Sequence, residues 1–131
     1  MQLGMVGLGR MGGNIVRRLM RAGHACAVFD RDPGPGAALA KEGAVAAGSL
    51  AGLVAALAVP RAVWVMLPAG AATEAAITEL SALLAPGDTI IDGGNTNWKD
   101  DIRRAAALRT KGLHYVDVGT SGGVWGLDRG Y

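Results

Sequence analysis

Gly7-Leu8-Gly9-Arg10-Met11-Gly12 places three glycines at the spacing G-x-G-x-x-G near the start of the chain. That spacing serves phosphate chemistry when it joins a strand to a helix. Gly7 allows a tight turn, Gly9 has no side chain to keep a pyrophosphate off the backbone, and Gly12 lets helix and strand pack closely. The free amides at the helix start then face the phosphates. With 21 glycines in the chain the pattern alone is weak, and its bare alternative is an ordinary glycine-rich turn. Asp30 stands eighteen residues after Gly12, close to the interval of about 20 at which a carboxylate meets the adenosine ribose hydroxyls. A carboxylate there repels a 2′-phosphate, whereas the neighbouring Arg31 would bind one. Asp32 adds a second negative charge, so the balance favours NAD over NADP. Otherwise Asp30 is a turn residue that ends a strand.

These residues need elements to hold them, and the apolar pattern supplies them. Leu3 to Val6 reads as a strand buried on both faces. Met11, Ile15 and Leu19 form a helical stripe, which Gly23 stops. Ala25 to Phe29 is a second strand, and Pro33 opens a helix to about Glu42. A short strand at Val45 follows, then a helix capped by Ser49 and running to about Ala58. Ala62 to Leu67 is a fourth strand, Thr73 to Leu84 a helix and Thr89 to Ile91 a fifth strand. A helix from Trp98 ends at Gly112, with Asp100 and Asp101 in its first turn and Arg109 and Lys111 near its end, complementing the helix dipole. Tyr115 to Val118 is a sixth strand. Strands alternating with helices predict an α/β, Rossmann-type, doubly wound and mostly parallel sheet with helices on both faces. Residues 1–131 are thus read as one dinucleotide-binding domain. Ligands of such sheets bind at the carboxyl ends of the strands.

Composition narrows the classes. Half of the residues are apolar and 18% are charged, enough core for folding and too little charge for disorder. A net charge of +2 does not argue for nucleic acid. The uncharged stretch Gly43 to Pro60 is small-residue rich and broken by Gly48, Ser49 and Gly52, so it reads as buried structure and no membrane partner is expected. The single Cys26 forms no internal disulfide or thiolate metal cluster, reads as a small buried hydrophobe, and fits a reducing cytoplasm. No metal site is expected.

Two more loops leave the same sheet edge: Asp92-Gly93-Gly94-Asn95-Thr96-Asn97 after the fifth strand, and Gly119-Thr120-Ser121-Gly122-Gly123 after the sixth. Together with Met5–Gly12, the runs Asp92–Asn97 and Val118–Gly123 resemble 6-phosphogluconate dehydrogenase, within the wider 3-hydroxyacid dehydrogenase group. Sister hydroxyisobutyrate-type enzymes carry a serine-threonine loop after the fifth strand instead of Gly-Gly-Asn. Asp30 and the run Val124–Tyr131 resemble the shorter, NAD-preferring bacterial members, and Arg18 departs from the group's usual small or amide residue.

The resemblance implies roles. Gly7, Leu8, Gly9, Arg10, Met11, Gly12, Asp30 and Arg31 would bind NAD, and Leu67, Pro68 and Ala69 would line its ribose and nicotinamide side. Asn95 would touch both the nicotinamide ribose and 6-phosphogluconate, its amide donating and accepting at once. Ser121, Gly122 and Gly123 would hold the anionic sugar acid. Read without the resemblance, Asn95 is a turn residue and Ser121–Gly123 a plain connection. The family oxidises the 3-hydroxyl, loses carbon dioxide and protonates the enediol to ribulose 5-phosphate, a pentose phosphate reaction. Its lysine and glutamate lie beyond position 131, as do the closing strands and the helical domain that builds a homo-oligomer. This chain alone is therefore expected to lack catalysis and to carry an unfinished sheet edge prone to self-association. Trp98 and Trp125 read as packing residues, Lys99 as solvated and His114 as a strand-edge residue. A non-catalytic dinucleotide-binding module, or a dehydrogenase for another 3-hydroxy acid, are the alternatives.

Overall fold

The computed structural model describes residues 1–131. Its elements are β1 (Gln2–Val6), α1 (Arg10–Arg21), β2 (Ala25–Phe29), α2 (Pro33–Lys41), β3 (Val45–Ala46), α3 (Leu50–Ala55), β4 (Ala62–Val65), α4 (Ala71–Leu83), β5 (Thr89–Asp92), α5 (Trp98–Arg109) and β6 (His114–Asp117). A short 3-10 turn (Gly123–Trp125) and α6 (Gly126–Arg129) end the chain. The six strands form one sheet in the order β3-β2-β1-β4-β5-β6, with every neighbouring pair parallel. The order runs outward in both directions from the junction of β1 and β4, which is where an open parallel sheet makes its ligand crevice.

Alternating side chains feed two cores. Leu3, Met5, Cys26 and Val28 point to one face, beneath Ile15 and Val16 of α1 and Leu39 of α2. Val6, Val63, Val65 and Ile90 point to the other, under Leu53 and Val54 of α3, Ile77 and Leu80 of α4, and Leu108 of α5. The doubly wound arrangement is as the pattern predicts. The covering is uneven, however. At β6, Tyr115 packs against the α5 side, while His114 and Val116 are exposed. The chain spends its last helix elsewhere: α6 lies on α1, where the Arg18 guanidinium donates to the Leu127 carbonyl at 3.1 Å.

Several boundaries shift for local reasons. The fourth strand stops at Val65, two residues before Leu67, because the chain opens toward Pro68, which has no N–H for the ladder. Helix α3 ends at Ala55 and not near Ala58, because the Gln2 amide takes over its last turn. That amide donates to Ala56 O at 3.0 Å and accepts the Ala58 N–H at 2.8 Å. Ser49 does cap α3, accepting the Gly52 N–H at 2.9 Å. Asp32 caps α2 through the Gly34 N–H at 2.9 Å. The expectation that Trp98 and Trp125 pack is corrected: both rings are more than half exposed, each beside a cation, Lys99 and Arg129 respectively. No helix is long and apolar enough to cross a membrane.

The amino-terminal edge of the sheet is clamped by Asp88, which is buried just before β5. It accepts the Arg61 N–H at 2.6 Å, the Ala85 N–H at 2.9 Å and Arg61 Nη1 at 3.2 Å. Burial pushes its carboxyl up, but these donors outweigh burial and hold it below the usual carboxylate range. Asp88→Asn puts an NH2 group against one of those donors. It should lower stability by about 2 kcal/mol, read by urea unfolding. An unchanged unfolding midpoint would remove Asp88 as a clamp.

Candidate functional site

The glycine-rich turn is shaped by what its glycines exclude. Gly7 has φ of 94°, and a Cβ there would strike the Met66 carbonyl on the neighbouring strand's exit. A Cβ on Gly12 would strike the Gly7 carbonyl oxygen, so α1 rests directly on the turn. A Cβ on Gly9 would meet nothing within 4 Å, which leaves the backbone open to a ligand. The first N–H groups of an α-helix have no intrahelical partner, and those of α1 point out of this turn. Leu8 takes part through its backbone: its side chain is in the core and its N–H donates to Asp30 Oδ2 at 2.8 Å. Asp30 Oδ1 accepts the Asp32 N–H at 2.9 Å.

A continuous groove runs along the carboxyl edge of the sheet. Its larger end, about 630 Å³, lies between Asp30, Arg31 and Asp32 on one side and Ala72, Ala75 and Glu79 of α4 on the other. Its smaller end, about 300 Å³, lies between Met11, Gly12, Pro68 and Ala69 and the loop residues Gly93, Gly94, Asn95 and Thr120. Gly9, Met66, Leu67 and Pro68 line both ends and join them. An adenosine-sized end bearing a carboxylate, a central helix start and a second end with an amide suit an extended dinucleotide.

The loop carrying Asn95 stands on buried charges. Asp92, the last residue of β5, is fully buried. Its Oδ1 accepts the Gly94 N–H at 2.9 Å, and its Oδ2 accepts the Thr96 hydroxyl at 2.6 Å. The Tyr115 hydroxyl lies 3.1 Å from Oδ2 and 2.7 Å from Asp101 Oδ1. A phenol has one proton, and the shorter contact takes it. Burial first, and then the Asp101 bond, push the Tyr115 phenol far above its ordinary value. Arg104, also buried, donates from Nε to Glu74 Oε2 at 2.8 Å and turns Nη1 toward Asp92 Oδ2 at 3.6 Å.

The structure brings Gly9, Met11, Gly12, Leu67, Pro68, Ala69 and Asn95 to one groove end and Gly7, Asp30 and Arg31 to the other. Arg10 is exposed and lines neither end, and Ser121, Gly122 and Gly123 lie outside the groove. Gly122 instead packs against Tyr131, whose ring also fills the space above Gly126. Met66, Ala72 and Glu79 line the groove but carry no motif in the sequence, and Thr120, inside the Val118–Gly123 run, lines it in place of Ser121. Thr73 was legible neither as a core nor as a site residue; it is buried and donates to Pro68 O at 2.8 Å, tying down the loop after β4.

Comparison with known proteins gives the same picture. A family model described as the NAD binding domain of 6-phosphogluconate dehydrogenase matches residues 2–131. An NAD(+)-dependent, decarboxylating 6-phosphogluconate dehydrogenase of Haloferax volcanii is 42% identical over the whole chain, which spans 43% of that protein's length. The solved 6-phosphogluconate dehydrogenase of Plasmodium falciparum, described with its cofactor NADP+ and its substrate 6-phosphogluconate, superposes with a TM-score of 0.89 at 27% identity. That match covers 97% of this chain and 28% of the other. A 3-hydroxyisobutyrate dehydrogenase of Mycobacterium tuberculosis superposes with a TM-score of 0.86 at 29% identity, covering 95% and 42% of the two chains.

The charged base of the site has an acid signature. The hydrogen bonds from Arg103 and Arg104 lower the Glu74 carboxyl from 4.5 to about 2. A carboxyl lowered on folding stabilises the fold above its unfolded value and loses that contribution as pH falls through the folded one. The melting temperature should therefore decline between pH 4.5 and about 2. Glu74→Gln should start lower at neutral pH and decline less steeply across that window. Parallel melting curves for the two proteins would exclude Glu74 from the acid response.

Proposed function

The chain belongs to the family of 6-phosphogluconate dehydrogenase NAD-binding domains, and on that premise we propose that it is the cofactor-binding part of an NAD-dependent 6-phosphogluconate dehydrogenase. The observation that carries this is the groove itself, with Asp30 at one end and Gly94 and Asn95 at the other. The adenosine ribose sits against Asp30, the pyrophosphate over Gly9 and the start of α1, and the nicotinamide half between Pro68 and Asn95. NAD, when bound, supplies the hydride acceptor. Asn95 orients: its carbonyl accepts from a ribose hydroxyl while its NH2 donates to a substrate oxygen. In this reading Ser121, Gly122 and Gly123 hold 6-phosphogluconate from just outside the groove, where the exposed Ser121 is free to meet a sugar acid.

The full-length enzyme would oxidise and decarboxylate 6-phosphogluconate, with its base supplied by residues outside this chain. Two observations support that division. His114 opens β6 at the amino-terminal edge of the sheet, opposite the groove. The Lys99 ammonium lies 5.6 Å from the Trp98 ring centre and lines neither end of the groove. The 131-residue chain with NAD and 6-phosphogluconate should give no NADH above a protein-free control. Steady turnover would place a base within these residues. The Mycobacterium tuberculosis neighbour keeps a second reading open, a dehydrogenase for another 3-hydroxy acid. Titrating the chain and NAD with 6-phosphogluconate and with 3-hydroxyisobutyrate separates the two.

NAD is proposed over NADP because the Asp30 carboxylate faces the ribose end while Arg31 is its exposed neighbour. Asp30→Asn keeps an acceptor oxygen for the Leu8 N–H and removes the charge. Calorimetry should show the NAD preference narrowing by about tenfold, the equivalent of one charge-assisted hydrogen bond. Tighter binding of NADP than NAD by the unaltered chain would transfer the specificity role to Arg31.

A further inference from the structure

Two walls enclose the Asn95 end of the groove. One is the loop from Leu67 to Gly70, which leads into α4 and is tied to it through Thr73 and Pro68 O. The other is the Asp92–Asn97 loop, which leads into α5. The walls nearly touch at their base: a Cβ on Gly94 would lie 2.7 Å from the Leu67 carbonyl oxygen. Any drift between them changes the width of a space of about 300 Å³.

One side chain reaches both walls from behind. Arg104 sits on α5 with 4% of its side chain exposed. Its Nη2 and Nε hold Glu74 Oε2, in the first turn of α4, at 2.7 Å and 2.8 Å. Its Nη1 faces Asp92 Oδ2 at 3.6 Å and Asp101 Oδ1 at 3.9 Å. A guanidinium is planar and rigid, so contacts at opposite ends of the fork fix a distance; a lysine ammonium is a single point and fixes none. Stability alone does not account for the arrangement. A buried ion network is matched or surpassed in stability by apolar residues of the same volume, and Nη1 is left without a hydrogen-bond partner. What the guanidinium adds is geometry.

We propose that Arg104 is a positioning residue that sets the spacing between the α4 wall and the Asn95 loop, and so the fit of the nicotinamide half of the dinucleotide. This rests on reading the groove as the dinucleotide site. The adenosine end is bounded by Asp30, Leu50 and the opposite flank of α4, at Ala72 and Ala75, and Arg104 does not line it. Loss of Arg104 therefore weakens recognition of the nicotinamide half more than of the adenosine half.

The test compares NAD with ADP, which lacks the whole nicotinamide half, by calorimetry on the 131-residue chain. Arg104→Lys should lower the affinity for NAD relative to ADP by about tenfold. Glu74→Gln, at a half-exposed site that folding tolerates, should shift the ratio the same way by less, and it carries the test should Arg104→Lys fail to fold. Asp88→Asn, which loosens the opposite edge of the sheet, should lower the melting temperature and leave the ratio alone. An unchanged ratio in the Arg104 and Glu74 variants, or an equal shift in the Asp88 variant, overturns the assignment while the dinucleotide reading stands. Failure of the unaltered chain to bind either ligand overturns both.

Discussion

Everything at the functional edge depends on a close approach of backbone to backbone at the junction of β1 and β4. The sheet diverges there, so β1 ends with the Met66 segment on one side and α1 above it. Three backbones share a space that admits no Cβ at Gly7 or Gly12. Any larger residue at Gly12 would push the start of α1 off the Gly7 carbonyl, and with it the row of free amides. The proposed phosphate site is therefore a property of packing more than of any side chain. This explains why Leu8 and Arg10, inside the motif, have no side chain in the groove: Leu8 anchors in the core and Arg10 faces solvent.

The strand that carries the chemistry is bracketed by two buried carboxylates with opposite tasks. Asp88 precedes β5 and fastens the turn residues Arg61 and Ala85 at the amino-terminal edge. Asp92 ends β5 and fastens Gly94 and Thr96 at the carboxyl edge. Between them Ile90 is fully buried and apolar. Buried carboxylates persist only where donors satisfy them, and here the donors are the loop backbones themselves. Asp92 is less completely neutralised than Asp88, because its cation is shared with Asp101 and Glu74.

The sequence carried the local part of this site legibly and hid the rest. The glycine turn, Asp30 and the helix cap at Ser49 are read from neighbours a few residues away, because a tight turn or an unpaired N–H selects its residue locally. Asn95 stands out only through the resemblance, and the cap Asn97 lends to the Lys99 N–H was not read. Strand pattern and order class were equally legible, since each buried strand is a short apolar run. Arg104, Thr73 and Tyr115 were not. Arg104 looks like one of two surface arginines on an amphipathic helix, and only the packing of α5 on β6 turns it inward while Arg103 stays out. Asp101 reads as a dipole-complementing first-turn acid, yet it is buried against Tyr115. The exposure of Trp98 and Trp125 was missed for the converse reason: large rings are presumed to be covered, and these two lie exposed beside Lys99 and Arg129. Ser121 was named through the resemblance, and its neighbour Thr120 is the one that lines the groove, a choice that loop packing makes and local residue type does not.

Asp30 shows how one residue serves both fold and ligand without conflict. A carboxylate offers about four lone-pair sites. Two are occupied, one by the Leu8 N–H and one by the Asp32 N–H. Asp30 lines the groove, and in the proposed dinucleotide reading the remaining sites would accept from ribose hydroxyls. The backbone bonds hold the carboxylate in one rotamer before any ligand arrives, so binding does not have to order it. The Leu8 bond ties the end of β2 to the glycine turn after β1, which holds the proposed ribose and phosphate subsites at a set spacing. A free carboxylate at this position would recognise a ribose equally well in principle, but its distance from the phosphates would not be fixed. In the proposed reading, dinucleotide selectivity at this end would follow from the strap between Asp30 and Leu8, which sets where the charge stands, as much as from the charge itself.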